Sequence, residues 1–189
     1  MSQSKKKLRE ACLVKLRSLS SEQRVAINND LQTQLFEQPA WKNAKTIGIT
    51  VSLKHEWDTW PIIEKAWHQN KQIVVPKCNP VDKSMTFYRI ETKDDLEIQY
   101  FNLKEPIEAR TCKVNKESID LLIVPGVVFD HKNYRVGHGG GYYDRFLEDF
   151  NADTVSLAWH GQIIDQIMIE SFDQPVKKLI VAKNIVEIN

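Results

Sequence analysis

Four of the chain's seven glycines fall between positions 137 and 141, shortly after an apolar run. That run, Ile119-Asp-Leu-Leu-Ile-Val124, lacks clean polar alternation, which is the pattern of a strand buried on both faces of an α/β sheet. Pro125-Gly126 end it. Further on, Arg135-Val136 lead into Gly137-His138-Gly139-Gly140-Gly141, and Tyr142-Tyr143-Asp144-Arg145-Phe146-Leu147 can open a helix. Glycine is entropically costly, and it is used where φ must be positive or where something must come close to the backbone. Its concentration here demands a tight turn or a close approach.

A phosphate cradle satisfies both demands. Successive backbone N–H groups in a glycine turn form an anion-binding nest, and a following helix N-terminus adds partial positive charge. Arg135 and Arg145 flank the turn with full charges. Asp144 offers a carboxylate to Mg²⁺ while phosphate oxygens fill other positions. A bare G-x-G-G-G is equally what a ligand-free strand-to-helix turn looks like. The pattern is not a Walker A loop, which needs G-K-[ST]. It is not a dinucleotide fingerprint either, because Tyr142 stands where the third glycine belongs.

The longer pattern is more specific. Pro125-Gly126-Val-Val-Phe129-Asp130 followed by Arg135-Val-Gly137-His-Gly139-Gly-Gly141-Tyr142-Tyr143-Asp144 resembles the P-G-x-x-F-D and R-x-G-x-G-x-G-Y-Y-D elements of the 5-formyltetrahydrofolate cyclo-ligase (5,10-methenyltetrahydrofolate synthetase) family. One departure is Asn133, where the family often has glycine. Asn tolerates the left-handed conformation better than other non-glycine residues, so the turn is expected to survive.

Elsewhere the residues speak more softly. Residues 4 to 17 have helical spacing, with Leu8, Ala11, Cys12 and Leu16 on one face. Lys5-Lys6-Lys7 and Arg9 make the start of that helix basic, opposite to what the macrodipole favours. Composition alone reads them as a solvated face. The resemblance implies instead that this block, Lys5 to Arg9 including Leu8, contributes to ATP binding, Lys5 and Arg9 most directly. Ser20 and Gln23 form a plausible capping box for a second helix reaching about Phe36, with Pro39 and Trp41 in the turn after it. Thr46 to Leu53 reads as the first strand. The polar loop after it, Lys54 to Thr59, occupies the junction where α/β sheets carry their sites. By itself Glu56 reads as a solvated carboxylate; the resemblance implies that it grips a reduced folate, whose pterin edge carries donors, with Val51 just upstream also at that ligand.

Strands are expected at Gln72–Pro76, Met85–Ile90, Thr154–Trp159, Leu179–Ala182 and Ile185–Ile188, with a weak family likeness in the loop from Asn102 to Pro106. Trp159 and Gln162 lie where the family has an aromatic and a glutamine, which implies pocket lining by Trp159. Asp173 lies in a turn similar to the family's W-D-x-P; it reads either as a turn carboxylate or as a second metal or substrate ligand.

Alternating strands and helices point to an α/β fold with a largely parallel central sheet. The resemblance implies a three-layer α/β/α sandwich, Rossmann-like, in one domain. At 189 residues the chain is long enough for a substantial core. A net charge of +1 argues against nucleic-acid binding driven by charge. Cys12, Cys78 and Cys112 lack metal spacing and fit reduced thiols in the cytoplasm. No apolar run approaches the roughly 20 residues of a membrane span. The expected partners are therefore small molecules, acting on a monomer.

What the resemblance implies chemically is ATP-dependent cyclisation of 5-formyltetrahydrofolate, with or without a polyglutamate tail, to 5,10-methenyltetrahydrofolate. In that reading Lys5, Arg135 and Asp144 are catalytic. Arg9, Val136, Gly137, His138, Gly139, Gly140 and Gly141 join them around ATP. Tyr142 and Tyr143 pack against an adenine or pterin face, fix the loop, or do both, and Asp144 with Asp173 holds Mg²⁺. The alternatives are a non-catalytic folate- or nucleotide-binding protein on the same fold, which has no need to keep Lys5, Arg135 and Asp144, and a nucleic-acid-binding protein using the Lys-rich start.

Overall fold

Side chains alternate between the two faces of a strand, so a sheet covered on both sides needs two apolar sets in alternate positions. That is how the core divides in the computed structural model, which describes residues 4–99 and 103–183. Helix α1 (Lys5–Ser18) starts at Ser4, whose Oγ accepts from the Lys7 N–H. Helix α2 (Ser21–Glu37) carries the capping box between Ser20 and Gln23. Where a turn is expected at Pro39 and Trp41, the chain forms a short helix, α3 (Pro39–Asn43). Proline suits the first helical turn, and burial of Trp41 fixes the segment against the core.

The main sheet takes strands β1 (Thr46–Gly48), β2 (Gln72–Cys78), β3 (Met85–Ile90), β6 (Cys112–Val114), β7 (Leu121–Ile123), β10 (Asp153–Ala158) and β12 (Lys178–Val181). Its order is β12-β10-β7-β1-β2-β3-β6. The first five are mutually parallel, while β3 runs antiparallel to β2 and β6 antiparallel to β3. The central sheet is thus mixed but mostly parallel, as expected. Ile47, Ile73, Val75, Leu121, Ile123 and Val155 pack with α1, α2 and helix α4 (Trp60–His68). Val74, Leu122 and Val124 face the other way, onto Phe146 and Leu147 of the short helix α5 (Tyr142–Leu147). Each fully buried Leu or Ile contributes about 1.5–3 kcal/mol, so these two sets clamp the sheet between its layers.

The chain passes from β1 through α4 to β2 on one side, while β7 lies on the other. The carboxyl ends of β1 and β7 therefore border the point where strand order reverses, the usual place for a ligand in an open α/β sheet.

Two small sheets escape sequence reading. One pairs β4 (Leu96–Ile98) with β5 (Lys104–Pro106). The other joins β8 (Val128–Asp130), β9 (Arg135–Val136) and β11 (Ile163–Ile164). The β8–β9 turn is built on Asp130, 1% exposed, whose Oδ1 accepts from the N–H groups of Lys132 and Tyr134 and whose Oδ2 accepts from Ile167 N–H. Asn133 in this turn has φ +65°, the left-handed conformation its residue type tolerates. Because this hairpin delivers Arg135, the turn matters beyond its own stability. Asn133→Ala is expected to cost about 1–2 kcal/mol in thermal unfolding, and Asn133→Gly to cost nothing measurable. Asn102 and the strand expected at 185–188 lie outside the described residues.

Candidate active site

The glycine segment turns by two positive-φ residues, Gly139 at +98° and Gly141 at +68°. Its carbonyls are bound by arginines. Arg9 Nε donates to Gly137 O at 2.6 Å, and Arg145 Nη1 donates to Gly140 O at 3.3 Å and Gly141 O at 3.1 Å. Among the described residues, the N–H groups of Gly139, Gly140 and Gly141 have no acceptor. Donors left over while the carbonyls of Gly137, Gly140 and Gly141 are occupied are what an anion-binding nest requires. The helix that follows has only six residues, so its dipole adds little, and the loop amides carry the positive potential. Arg145 is occupied with the loop's own carbonyls.

A second group of charges meets at residues 170–174. Lys5 Nζ donates to Asp173 Oδ2 at 2.5 Å and Glu170 Oε2 at 2.8 Å. Burial opposes the charge on Lys5, but hydrogen bonds to Asp173 and Glu170 outweigh it and hold its pKa above the ordinary value. Arg135, its side chain only 3% exposed, donates from Nη1 to Gln174 O at 2.5 Å and from Nη2 to Asp144 Oδ1 at 3.1 Å. Gln174 N–H also donates to Asp144 Oδ1. Burial pushes the Arg135 guanidinium down and Asp144 pushes it back up; an arginine stays charged in either case. Lys5, Arg135, Asp144 and Asp173, scattered in sequence, thus share one turn. The remaining basic residues behave differently. Lys6 and Lys7 are exposed, Lys6 pairing only loosely with Glu10 at 4.0 Å, and Leu8 packs against the core.

The loop after β1 closes the site from another side. Glu56 Oε2 accepts from Leu53 N–H at 2.7 Å, while Oε1 lies 3.1 Å from His138 Nε2. Arg24 Nη2 donates to the Glu56 carbonyl at 2.7 Å. The contact between Glu56 and His138 brings this loop directly against the glycine segment. Burial pushes the His55 imidazole down, and its ring lies 5.4 Å from that of His138. Behind the loop is a pocket at the carboxyl ends of β1, β7 and β10, bordered by Thr50, His55, Glu56, Pro125, Gly126 and Gln162. Gln162, 2% exposed, accepts from Trp57 Nε1 and Trp159 N–H and donates to Val127 O, tying three segments of the wall together. Trp159 stacks edgewise on His160, and Val51 is buried in the core between pocket residues Thr50 and Ser52. The Tyr143 hydroxyl is buried without a partner among the described residues, and burial pushes its pKa up. Tyr142 lies over Gly140, with Lys83 Nζ 5.7 Å from its ring.

The sequence and the fold have counterparts among known proteins. Residues 1–182 match the model of the 5-formyltetrahydrofolate cyclo-ligase family. The chain belongs to the 5-formyltetrahydrofolate cyclo-ligase family. It is 27% identical to the 5-formyltetrahydrofolate cyclo-ligase of Escherichia coli K12 over 176 residues, covering 90% of this chain and 96% of the relative. With the corresponding protein of Haemophilus influenzae it shares 30% identity over 151 residues, 78% of this chain and 79% of that one. The solved structure of Aquifex aeolicus 5,10-methenyltetrahydrofolate synthetase superposes with a TM-score of 0.82 at 31% identity, over 95% of this chain and 90% of that chain. The chain is therefore an enzyme of the ligase class.

Within a cyclo-ligase family fold, the site contains residues that sequence reading did not single out. Thr50, Ser52, His55, Thr59 and Leu157 line the pocket. The signal available for most of them was position, immediately after the first strand, where Thr59 Oγ1 donates to Thr50 O and accepts from Ser52 N–H. The Arg9 contact can be tested directly. Arg9→Ala removes the donor that holds Gly137 O, so the glycine segment is expected to loosen at a cost of about 1.5–3 kcal/mol, read by thermal unfolding; an unchanged Tm would mean the contact does not hold the segment.

Proposed function

We propose that this enzyme converts 5-formyltetrahydrofolate to 5,10-methenyltetrahydrofolate, consuming ATP in the presence of Mg²⁺ and releasing ADP and phosphate. The observation that carries the reading is the set of acceptor-free amides at Gly139–Gly141, placed against Glu56 through His138. One loop is suited to an anionic triphosphate, and the other presents a carboxylate beside the pocket at the carboxyl ends of β1, β7 and β10. The two come within reach of each other, as transfer between two bound substrates requires.

A formamide carbonyl is a poor electrophile and its oxygen a poor leaving group. Transfer of the γ-phosphoryl to that oxygen forms an O–P bond, breaks the bond to ADP and leaves an activated imidate phosphate. The neighbouring folate nitrogen attacks the carbon, the ring closes and phosphate departs with the former formyl oxygen. The protein's work is positioning and charge stabilisation. Amides of Gly139–Gly141 bind phosphate oxygens, and Lys5 and Arg9 add positive charge at the rim. Arg135 holds Asp144 and the 170–174 turn from the buried side. Glu56 accepts hydrogen bonds from the pterin edge, and Gln162, Trp57 and Trp159 keep the pocket wall fixed.

Asp144 fits a magnesium ligand. Oδ1 is engaged by Arg135 and Gln174, and Oδ2 makes no hydrogen bond among the described residues. A single carboxylate oxygen beside phosphates is the donor set Mg²⁺ ordinarily takes; Asp173 supplies a second carboxylate on the same turn. When bound, the ion supplies neutralisation of phosphate charge. The three free cysteines agree with a reducing compartment, the cytoplasm.

Mixing the protein with ATP, Mg²⁺ and 5-formyltetrahydrofolate is expected to raise the absorbance of the methenyl chromophore, with ADP formed in equal amount. Folate binding with no rise in absorbance would overturn the reading in favour of a binding protein.

A further inference from the structure

We propose that His55, Glu56 and His138 form a binding site for a divalent first-row transition metal, Zn²⁺ in the cell, that fastens the loop after β1 to the glycine segment. One ligand atom from each residue lies within 4.8 Å of the other two. Glu56 Oε1 and His138 Nε2 are already 3.1 Å apart. A tetrahedral shell with bonds of about 2.0 Å sets its ligand atoms about 3.3 Å apart. Closing the rest of the gap needs only small side-chain rotations, and His138 is free to make them, being exposed and followed by three glycines.

Three further features fit a metal. His55 Nε2 is buried with no hydrogen-bond partner among the described residues, a state native structures avoid unless another group fills it. Glu56 is oriented as metal-binding carboxylates are, with Oε2 held by Leu53 N–H and its own carbonyl held by Arg24, so that Oε1 faces His138. Two imidazoles and one carboxylate also select zinc and its neighbours over magnesium, a hard cation that takes oxygen donors. The site is therefore distinct from the Mg²⁺ position proposed at Asp144. Three protein ligands leave a fourth position open.

Glu56 is also the residue assigned above to the folate, so metal and folate should exclude each other; this consequence rests on that assignment. Zinc at this site would hold the loop and block the substrate.

The test uses full-length, metal-stripped protein in phosphate-free buffer, with Co²⁺ as the spectroscopic stand-in for zinc. One equivalent is expected to produce visible d–d bands of a low-coordinate nitrogen–oxygen site without a thiolate charge-transfer band. Zn²⁺ should abolish them and excess Mg²⁺ should not. His55→Asn and His138→Asn should each weaken Zn²⁺ binding at least about tenfold while circular dichroism stays the same, and Cys112→Ser should change nothing. Absence of the bands, wild-type affinity in both histidine variants, or loss of binding in Cys112→Ser would overturn the proposal. Metal binding that passes these tests yet ignores added 5-formyltetrahydrofolate upholds the metal site and removes Glu56 from the folate contact. Failure of metal binding while Glu56→Gln still weakens folate overturns the metal site alone.

Discussion

Asp144→Asn is expected to lower kcat/KM for methenyl formation at least about a hundredfold and to raise the Mg²⁺ concentration needed for half-maximal rate. The magnitude follows from what a supporting residue of a metal site costs when replaced, about 10–100-fold, with a direct ligand lying at or beyond the upper end. Asparagine keeps an oxygen that can accept from Arg135 and from Gln174 N–H, so the geometry of the turn survives. The negative charge does not. Two things are lost together: the carboxylate oxygen left for the cation, and the counter-charge for a guanidinium whose side chain is 3% exposed. Leaving that charge unbalanced destabilises the fold, by about 3 kcal/mol at most for a pair whose Asp144 side chain is 23% exposed. That corresponds to roughly 6–12 °C in Tm for a chain of this size. Assays well below the melting transition separate the two effects. If Tm falls but the Mg²⁺ dependence of the rate is unchanged, Asp144 serves Arg135 and not the cation.

Glu56→Gln should raise the KM for 5-formyltetrahydrofolate about a hundredfold and leave the KM for ATP within about twofold. A hydrogen bond to a charged group contributes about 1.5–3 kcal/mol, and a carboxylate facing a row of donors makes at least one of them. Glutamine retains an acceptor for Leu53 N–H, so the loop keeps its shape while its charge is gone. Arg24 continues to hold the residue-56 carbonyl because that contact is to the backbone. Equal losses for folate and ATP would instead signal that the loop had come away from the glycine segment.

How much of this could be read from the chain depends on distance along it. The buried strand β7 was legible because its burial on both faces is written in consecutive residues. The positive-φ turn at Asn133 was legible because one residue type tolerates it. The glycine segment announced a tight turn by composition alone, and Gly139 and Gly141 make it with positive φ. The resemblance to the cyclo-ligase family supplied residue roles that spacing could not. What stayed hidden was pairing between remote segments. Glu56 meets His138 across 82 positions and Lys5 meets Asp173 across 168, and no local pattern encodes either contact. The contacts of Arg135 were hidden for a related reason. A basic residue next to a glycine cluster reads as a phosphate ligand, whereas the fold buries it against Asp144 and Gln174. Strand β8 was missed because Val-Phe-Asp is too short to show a period, and its buried aspartate belongs to turn chemistry, not strand patterning.

The central claim is that the amides of Gly139–Gly141 hold the nucleotide's phosphates. Titration of ¹⁵N-labelled protein with Mg²⁺ and a non-hydrolysable ATP analogue tests it most directly. The account predicts that the largest amide shifts fall on residues 137 to 142, with Arg9 and Lys5 next. Unmoved glycine amides, with saturable shifts gathered elsewhere on the sheet, would contradict it.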